Sequence, residues 1–114
     1  MQYIVLDLEW NQAMSPQASV FKNLPFPLAG EIIQIGAVKL NEDKELLDEL
    51  KIGVRPEYFT KMHYKVKKLT GISREQMSKG INFVSAAYKL MSWCGEDSTV
   101  LICSRLMPVS FLTL

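Results

Sequence analysis

This 114-residue sequence contains one histidine, two cysteines and no long apolar run. Cys94 and Cys103 lack the C-x-x-C spacing of a zinc site, and no secretory signal precedes them, so neither a metal centre nor a disulfide framework is predicted. No window approaches the roughly 18 apolar residues that a membrane span needs, and no basic segment precedes the first apolar run. We therefore expect a cytoplasmic protein with free thiols and no membrane contact.

The sequence also lacks net charge, because 13 Lys and Arg residues offset 12 Asp and Glu residues to leave +1. The overall charge therefore gives no reason to expect binding to nucleic acid or to a membrane. The charge is unevenly distributed, however. Residues 41–50 hold five acids and one lysine, whereas Lys61–Lys79 hold six Lys or Arg and a single acid. The acidic segment indicates a solvated turn, and the basic segment fits either a solvated helix face or a surface that contacts phosphates.

With 48% hydrophobic and 22% charged residues, the composition is typical of one globular domain. Apolar, β-branched segments predict strands at about residues 2–10, 31–40, 46–56 and 98–104. The first three have short connections, apart from the proline-containing loop after strand 1, and this favours an antiparallel meander. The fourth follows a helix, so we expect it to lie parallel to an earlier strand.

Three helical segments are predicted between the third and fourth strands. The first lies within residues 61–71, with Val66 and Leu69 inward, and the second is a short turn with a capping box at Ser73. The third ends at Gly95, and its residues at helical spacing, which predict its inward face, are Phe83, Ala86, Ala87, Leu90, Met91 and Cys94.

Two carboxylates interrupt the first predicted strand. Asp7 and Glu9 are two residues apart, so they share one face of the strand while Leu6 and Leu8 take the other. Neighbouring carboxylates repel each other and are costly to bury unpaired. A divalent cation relieves that repulsion, and carboxylate-bound metal ions commonly assist attack on phosphodiesters. The spacing alone also fits a strand end that leans into solvent, but both acids lie in the interior of an aliphatic strand.

Four stretches of the sequence have the order and spacing of motifs in one known protein family, namely VLDLEWNQ, GEIIQIGAVKLNED, VRP and LTGIS. Over about residues 2–103 the sequence resembles the DEDD superfamily of DnaQ-like 3′–5′ exonucleases, in particular bacterial exonuclease-domain proteins with a DLEWN first motif. The resemblance implies an α/β, RNase H-like fold, in which an antiparallel three-stranded meander is followed by helices and a parallel strand. It also implies that residues 1–114 form a single exonuclease domain that is C-terminally incomplete.

The resemblance implies a reaction as well, namely hydrolysis of single-stranded RNA or DNA from its 3′ end with two divalent ions, Mg²⁺ or Mn²⁺. Asp7 and Glu9 match the metal-binding acids of the first motif and would be the catalytic residues. Residues implied to contact the substrate are Trp10, Asn11, Thr70, Gly71 and Ile72. For Trp10, stacking on a base and packing in the core are both open.

Two later motifs of the family have no counterpart here. They supply a second-motif Asp and an HxAxxD segment with a general base, yet no Asp or Glu follows Asp97. His63 comes too early to be that base, and we expect it to face solvent or a phosphate. The sequence is therefore compatible with a weak or inactive exonuclease, and also with a non-catalytic nucleic-acid-binding or interaction remnant. An uncovered sheet would favour self-association. A phosphatase with an Asp nucleophile fits less well, because Glu9 and bulky Trp10 follow Asp7.

Overall fold

The computed structural model describes residues 1–102. Its four strands are β1 (Gln2–Gln12), β2 (Gly30–Leu40), β3 (Leu46–Gly53) and β4 (Ser98–Ile102). Its helices are α1 (Tyr64–Thr70), α2 (Arg74–Ser78) and α3 (Phe83–Cys94), and a 3₁₀ turn covers Ser19–Asn23 in the first loop. Within this part of the chain, no helix is long and apolar enough to cross a bilayer.

The four strands form one sheet in the order β3-β2-β1-β4. β1 pairs with β2 and β2 pairs with β3, both antiparallel, whereas β4 runs parallel to β1. The β2–β3 hairpin is closed by Asn41, whose side-chain oxygen accepts hydrogen bonds from the backbone N–H groups of Asp43 and Glu45, both at 2.9 Å. The meander and the parallel fourth strand predicted from the sequence are confirmed, and β3 ends before the predicted Pro56.

A β-bulge divides the sheet's apolar side chains between two cores. The pairing of β1 with β2 shifts between Glu9 and Trp10, so Ile33 has no partner opposite it. Residues two apart in a regular strand share a face, yet Ile33 and Ile35 belong to different clusters. The bulge thus lets neighbouring parts of β2 support helices on both sides of the sheet.

The larger core lies between the sheet and α3. Its buried members are Ile4, Leu6, Ile35, Ala37, Ile52, Val54 and Ala86, with Leu8, Leu90 and Trp93 among the side chains packed against them. Leu6 and Leu8 therefore point toward α3. By strand alternation, Asp7 and Glu9 point to the opposite face.

The smaller core fixes α1 and α2 through Ile33. That side chain packs with Val66 of α1, Met77 of α2 and Ile72 between them. The connection from α2 back to the sheet passes very close to β3, because a Cβ at Gly80 would lie 2.6 Å from the Val54 carbonyl carbon. Only glycine fits at this crossing.

The inward faces predicted for helices α1 and α3 are only partly correct. Leu69 is 75% exposed, because the two-turn helix α1 reaches the core only through Val66. In α3, Phe83 and Met91 are 53% and 66% exposed, and the buried stripe runs instead through Ala86, Leu90, Trp93 and Cys94. Helical spacing identified the helix but made its buried face too broad.

Candidate active site

Asp7 and Glu9 lie in the middle of β1, on the face turned away from α3. β2 pairs with β1 along residues 3–12 and so holds the backbone of both acids, whereas β4 pairs with residues 2–6, just before Asp7. Asp7 is exposed and Glu9 is partly buried. The strand therefore presents two neighbouring carboxylates from a rigid support, and at least one of them is open to solvent.

The residues opposite these acids keep the face open and polar. Gly36 is the β2 partner of Asp7, and Gln34 is the partner of Glu9. Because Gly36 has no side chain, the β2 residue directly opposite Asp7 does not cover the Asp7 carboxylate. A cation or phosphate could approach Asp7 from that side.

The next residue on the same face, Asn11, has a different environment. Asn11 is completely buried. Its side-chain Nδ2 donates to the carbonyl oxygens of Phe59 (2.8 Å) and Lys61 (2.9 Å), and its Oδ1 accepts from the His63 backbone N–H at 3.0 Å. All three bonds hold the segment that leads into α1. The Asn11 side chain therefore stabilises the fold, and only the backbone of Asn11 can contact a ligand.

Glu31 holds the beginning of the same segment. It is the β2 partner of Asn11. Its carboxylate accepts hydrogen bonds from the backbone N–H groups of Glu57 (2.9 Å), Tyr58 (2.5 Å) and Phe59 (2.7 Å). Together Asn11 and Glu31 form what we call the polar clamp on residues 57–63. The sequence did not predict this clamp, because Glu31 was placed only as the first residue of the second predicted strand, 31–40. The one available signal was that Asn11 continues the alternation of Asp7 and Glu9.

His63 is a buried helix cap, so the expectation that it faces solvent or a phosphate is wrong. Its side chain is only 5% exposed, and its Nδ1 accepts a hydrogen bond from the Lys65 backbone N–H at 3.1 Å. An accepting Nδ1 requires the neutral ring. Burial lowers the pKa of His63 below its ordinary value, and the neighbouring Lys65 charge lowers it further. His63 therefore stabilises the start of α1.

The LTGIS segment forms the end of α1 and the turn into α2. The Thr70 hydroxyl donates to the Val66 carbonyl oxygen (2.8 Å) and accepts from the Ile72 N–H (3.1 Å). Gly71 takes the left-handed conformation, with φ of 74°, and the Ile72 side chain is buried. This turn can therefore offer backbone groups and little side-chain surface to a ligand.

The aromatic side chains near the site differ in accessibility. Trp10 is partly buried, and its buried Nε1–H has no acceptor within residues 1–102. Tyr64, at the start of α1, is 61% exposed. A base could reach the ring of Tyr64 more readily than that of Trp10, a difference that sequence reasoning did not anticipate.

The two acids of β1 provide a minimal binding site for a divalent cation. Among residues 1–102, no group of three or more His, Cys, Asp or Glu side chains is placed to hold a metal ion. Mg²⁺ is nevertheless often bound by one or two carboxylates together with water and substrate phosphates. The exposed Asp7, with Glu9 beside it on the same face, meets that minimal requirement.

Solved structures of nucleases share this fold. The nuclease domain of 3′hExo, a DEDDh family member bound to rAMP, matches with a TM-score of 0.70 and 24% identity over 89% of this chain and 50% of its own. Cell-death related nuclease 4 matches with a TM-score of 0.70 and 16% identity, over 91% and 35%. E. coli exonuclease I in complex with an oligonucleotide matches with a TM-score of 0.63 and 12% identity, over 90% and 20%.

This chain thus spans half or less of the length of each of these structures. No curated protein sequence gives a significant match. The RNase T family model, described as exonuclease, matches residues 5–111, which is nearly the whole sequence. The match confirms the DEDD, DnaQ-like resemblance of the sequence motifs, and the chain belongs to this exonuclease family.

Proposed function

We propose that this chain binds a divalent cation, Mg²⁺ or Mn²⁺, through Asp7 and Glu9 and removes nucleotides from the 3′ end of single-stranded RNA or DNA. The observation that carries the proposal is the placement of both acids on the same face of β1, with the exposed Asp7 opposite Gly36. Membership of the exonuclease family supports it. So do the neighbours, which include a nuclease domain bound to rAMP and a 3′-exonuclease that recognises a histone mRNA stem-loop.

The residues of this chain would divide the work in a simple way. When bound, the cation would neutralise charge on the scissile phosphate and activate a water molecule. Asp7 and Glu9 would hold the cation against the sheet. The backbone of Trp10 and Asn11, together with the turn at Thr70, Gly71 and Ile72, would border the terminal nucleotide.

We expect the hydrolysis rate of this chain to be low. The described residues supply two carboxylates, and His63, the one histidine, is occupied as a helix cap. In enzymes whose catalytic groups act as a unit, loss of one group costs several orders of magnitude in rate. These observations also favour a second candidate, a nucleic-acid-binding module without catalysis.

The test is a 3′ degradation assay on end-labelled single-stranded RNA and DNA with Mg²⁺ or Mn²⁺. Asp7→Asn removes one carboxylate charge at the proposed site, and Asp43→Asn makes the same change in the exposed β2–β3 turn. We expect a ladder of products that Asp7→Asn abolishes and Asp43→Asn leaves unchanged. Binding of the strand with equal background cleavage by all three proteins would instead support the non-catalytic candidate.

We also propose that the chain associates with a second copy through the β4 side of its sheet. Within residues 1–102, β4 pairs only with β1, and Val100 and Leu101 are 47% and 50% exposed. An apolar edge strand readily pairs with another chain. Light scattering should then give a mass above 13.0 kDa that Val100→Lys returns to the monomer. A monomeric mass at high concentration would contradict this proposal.

A further inference from the structure

An unbroken stretch of positive charge surrounds α1. Residues 58–74 contain five cationic side chains and no Asp or Glu, namely Lys61, Lys65, Lys67, Lys68 and Arg74. Within the described part of the chain, none of the five forms an ion pair, and the ion pairs that exist there involve the N-terminus and Lys79. This charge is therefore available to an anionic ligand.

Three of these cations line one cavity of about 380 Å³. Its lining, which we call the basic groove, consists of Met14, Lys61, Met62, Tyr64, Lys67 and Arg74. The groove therefore combines positive charge with an aromatic ring and two apolar side chains. Proteins that bind single-stranded nucleic acid combine the same elements, because cations follow the phosphates and aromatic rings stack on bases.

Tyr64 is fixed in position although it is exposed. Its ring stacks on the His63 imidazole, with centroids 4.7 Å apart and planes 18° apart. His63 is itself buried and held by its bond to the Lys65 N–H. A ring held this way loses little conformational entropy when it binds a base.

The basic groove lies near the end of β1 that follows the two carboxylates, because Met14 in its lining comes five residues after Glu9. A second cavity, of about 490 Å³, shares Met14 and Lys61 with it and is also lined by Gln12 at the end of β1. Gln12 comes three residues after Glu9 on β1. At about 3.3 Å per residue of extended chain, Met14 lies at most roughly 17 Å from Glu9. That distance suits a short nucleic-acid segment.

We infer that the basic groove binds backbone phosphates and one base of a single strand whose 3′ end lies at Asp7 and Glu9. Lys61, Lys67 and Arg74 contact the phosphates, and Tyr64 stacks on the base. The identity of the ligand rests on the proposed function. The charge and the ring together favour nucleic acid over an anionic membrane or an acidic protein, because a single strand offers both phosphates for the cations and bases that stack on a fixed ring.

The phosphate contacts are tested by fluorescence anisotropy with a labelled twelve-nucleotide single strand in EDTA, where no cleavage occurs. The variant K61Q/K67Q/R74Q is compared with K44Q/R55Q/K89Q, which removes three exposed cations that do not line the groove. Each phosphate contact adds about 0.7 to the slope of log affinity against log salt for a single strand, so the groove variant should lose about 2 from that slope. If the groove variant and the native protein bind equally at 1 M salt, the groove variant should bind about 100-fold more weakly than the native protein at 0.1 M salt. The control should bind nearly as the native protein does.

The stacking contact is tested with Tyr64→Leu and Tyr64→Phe. Loss of one base–aromatic stack weakens binding by about 5- to 150-fold, so Tyr64→Leu should fall in that range and Tyr64→Phe should bind as the native protein does. An abasic strand of the same length should bind the native protein and Tyr64→Leu equally. Urea denaturation checks that both variants fold.

Equal losses in the two triple variants, or no binding of the strand by the native protein, would overturn the inference. Equal binding of normal and abasic strands by the native protein would also overturn it. The proposed function is tested separately. Without a divalent cation, in EDTA, Asp7→Asn should bind the labelled strand as the native protein does. If binding depends on the groove but no cleavage occurs, the proposed reaction is rejected and the groove inference stands. If cleavage occurs but binding does not depend on the groove residues, the groove inference is rejected and the proposed reaction stands.

Discussion

The β1 strand carries polar side chains in two places, and the structure uses them differently. Asp7, in the middle of the strand, is exposed beside a glycine, whereas Asn11, at its end, is completely buried and makes three hydrogen bonds to the backbone of residues 59–63. The two lie on the same face and look alike in the sequence. The difference shows that a polar residue within an apolar strand can be there for folding or for chemistry, and that burial and bonding partners distinguish the two roles.

The largest predicted effect on stability is that of Asn11→Ala. The change leaves two carbonyl oxygens and one N–H without their partner in a buried site, and each such group costs about 1–3 kcal/mol. We expect the free energy of unfolding to fall by about 3 kcal/mol or more in urea denaturation. A loss below about 1 kcal/mol would mean that water replaces the clamp and that Asn11 is not architectural.

Glu31→Gln should have an intermediate effect. The carboxylate accepts three backbone hydrogen bonds, whereas the amide has one oxygen and turns an NH₂ group toward an N–H. We expect a loss of about 1–2 kcal/mol, since hydrogen bonds to charged groups are worth more than neutral ones. Glu49→Gln, at an exposed site on β3, provides the control and should stay within about 0.5 kcal/mol of the native protein.

Acid should weaken the cap that the His63 ring forms at the start of α1. The folded-state pKa of His63 lies below its ordinary value of 6.5, so below that pH the unfolded chain binds a proton that the folded chain does not. The free energy of unfolding should therefore fall as the pH drops from 6.5 through the lowered pKa. His63→Asn keeps a side-chain acceptor for the Lys65 N–H but does not titrate. The difference between native and variant stabilities, measured by urea denaturation from pH 7.5 to 5, should shrink as the pH falls.

The smallest predicted change in stability is that of Asp7→Asn. Asp7 is exposed, and substitutions of exposed side chains usually stay within about 0.5 kcal/mol. The same variant should nevertheless lose divalent-cation binding and any cleavage activity. A large loss of stability in Asp7→Asn would place Asp7 with Asn11 among the architectural residues and would remove the contrast between them.

The sequence predicted the parts of this protein that depend on local pattern. Strand periodicity and short turns gave the meander, and the charge of Asp7 and Glu9 within an aliphatic run identified the candidate metal ligands. The polar clamp could not be predicted, because Asn11 and Glu31 bond to backbone groups 26 or more residues away. Leu69 was misplaced for a similar reason, since the buried face of α1 is set by the position of Ile33 at the bulge.

The most direct test of the account is a Mn²⁺ titration followed by paramagnetic broadening of backbone amide signals in NMR. If Asp7 and Glu9 bind the cation, signals from residues 6–9 and from their β2 partners 34–37 should broaden first. Asp7→Asn should abolish that broadening, and Asp43→Asn should leave it unchanged. Broadening that begins instead in the acidic segment 42–49, and that survives Asp7→Asn, would contradict the assignment of the β1 carboxylates to metal chemistry.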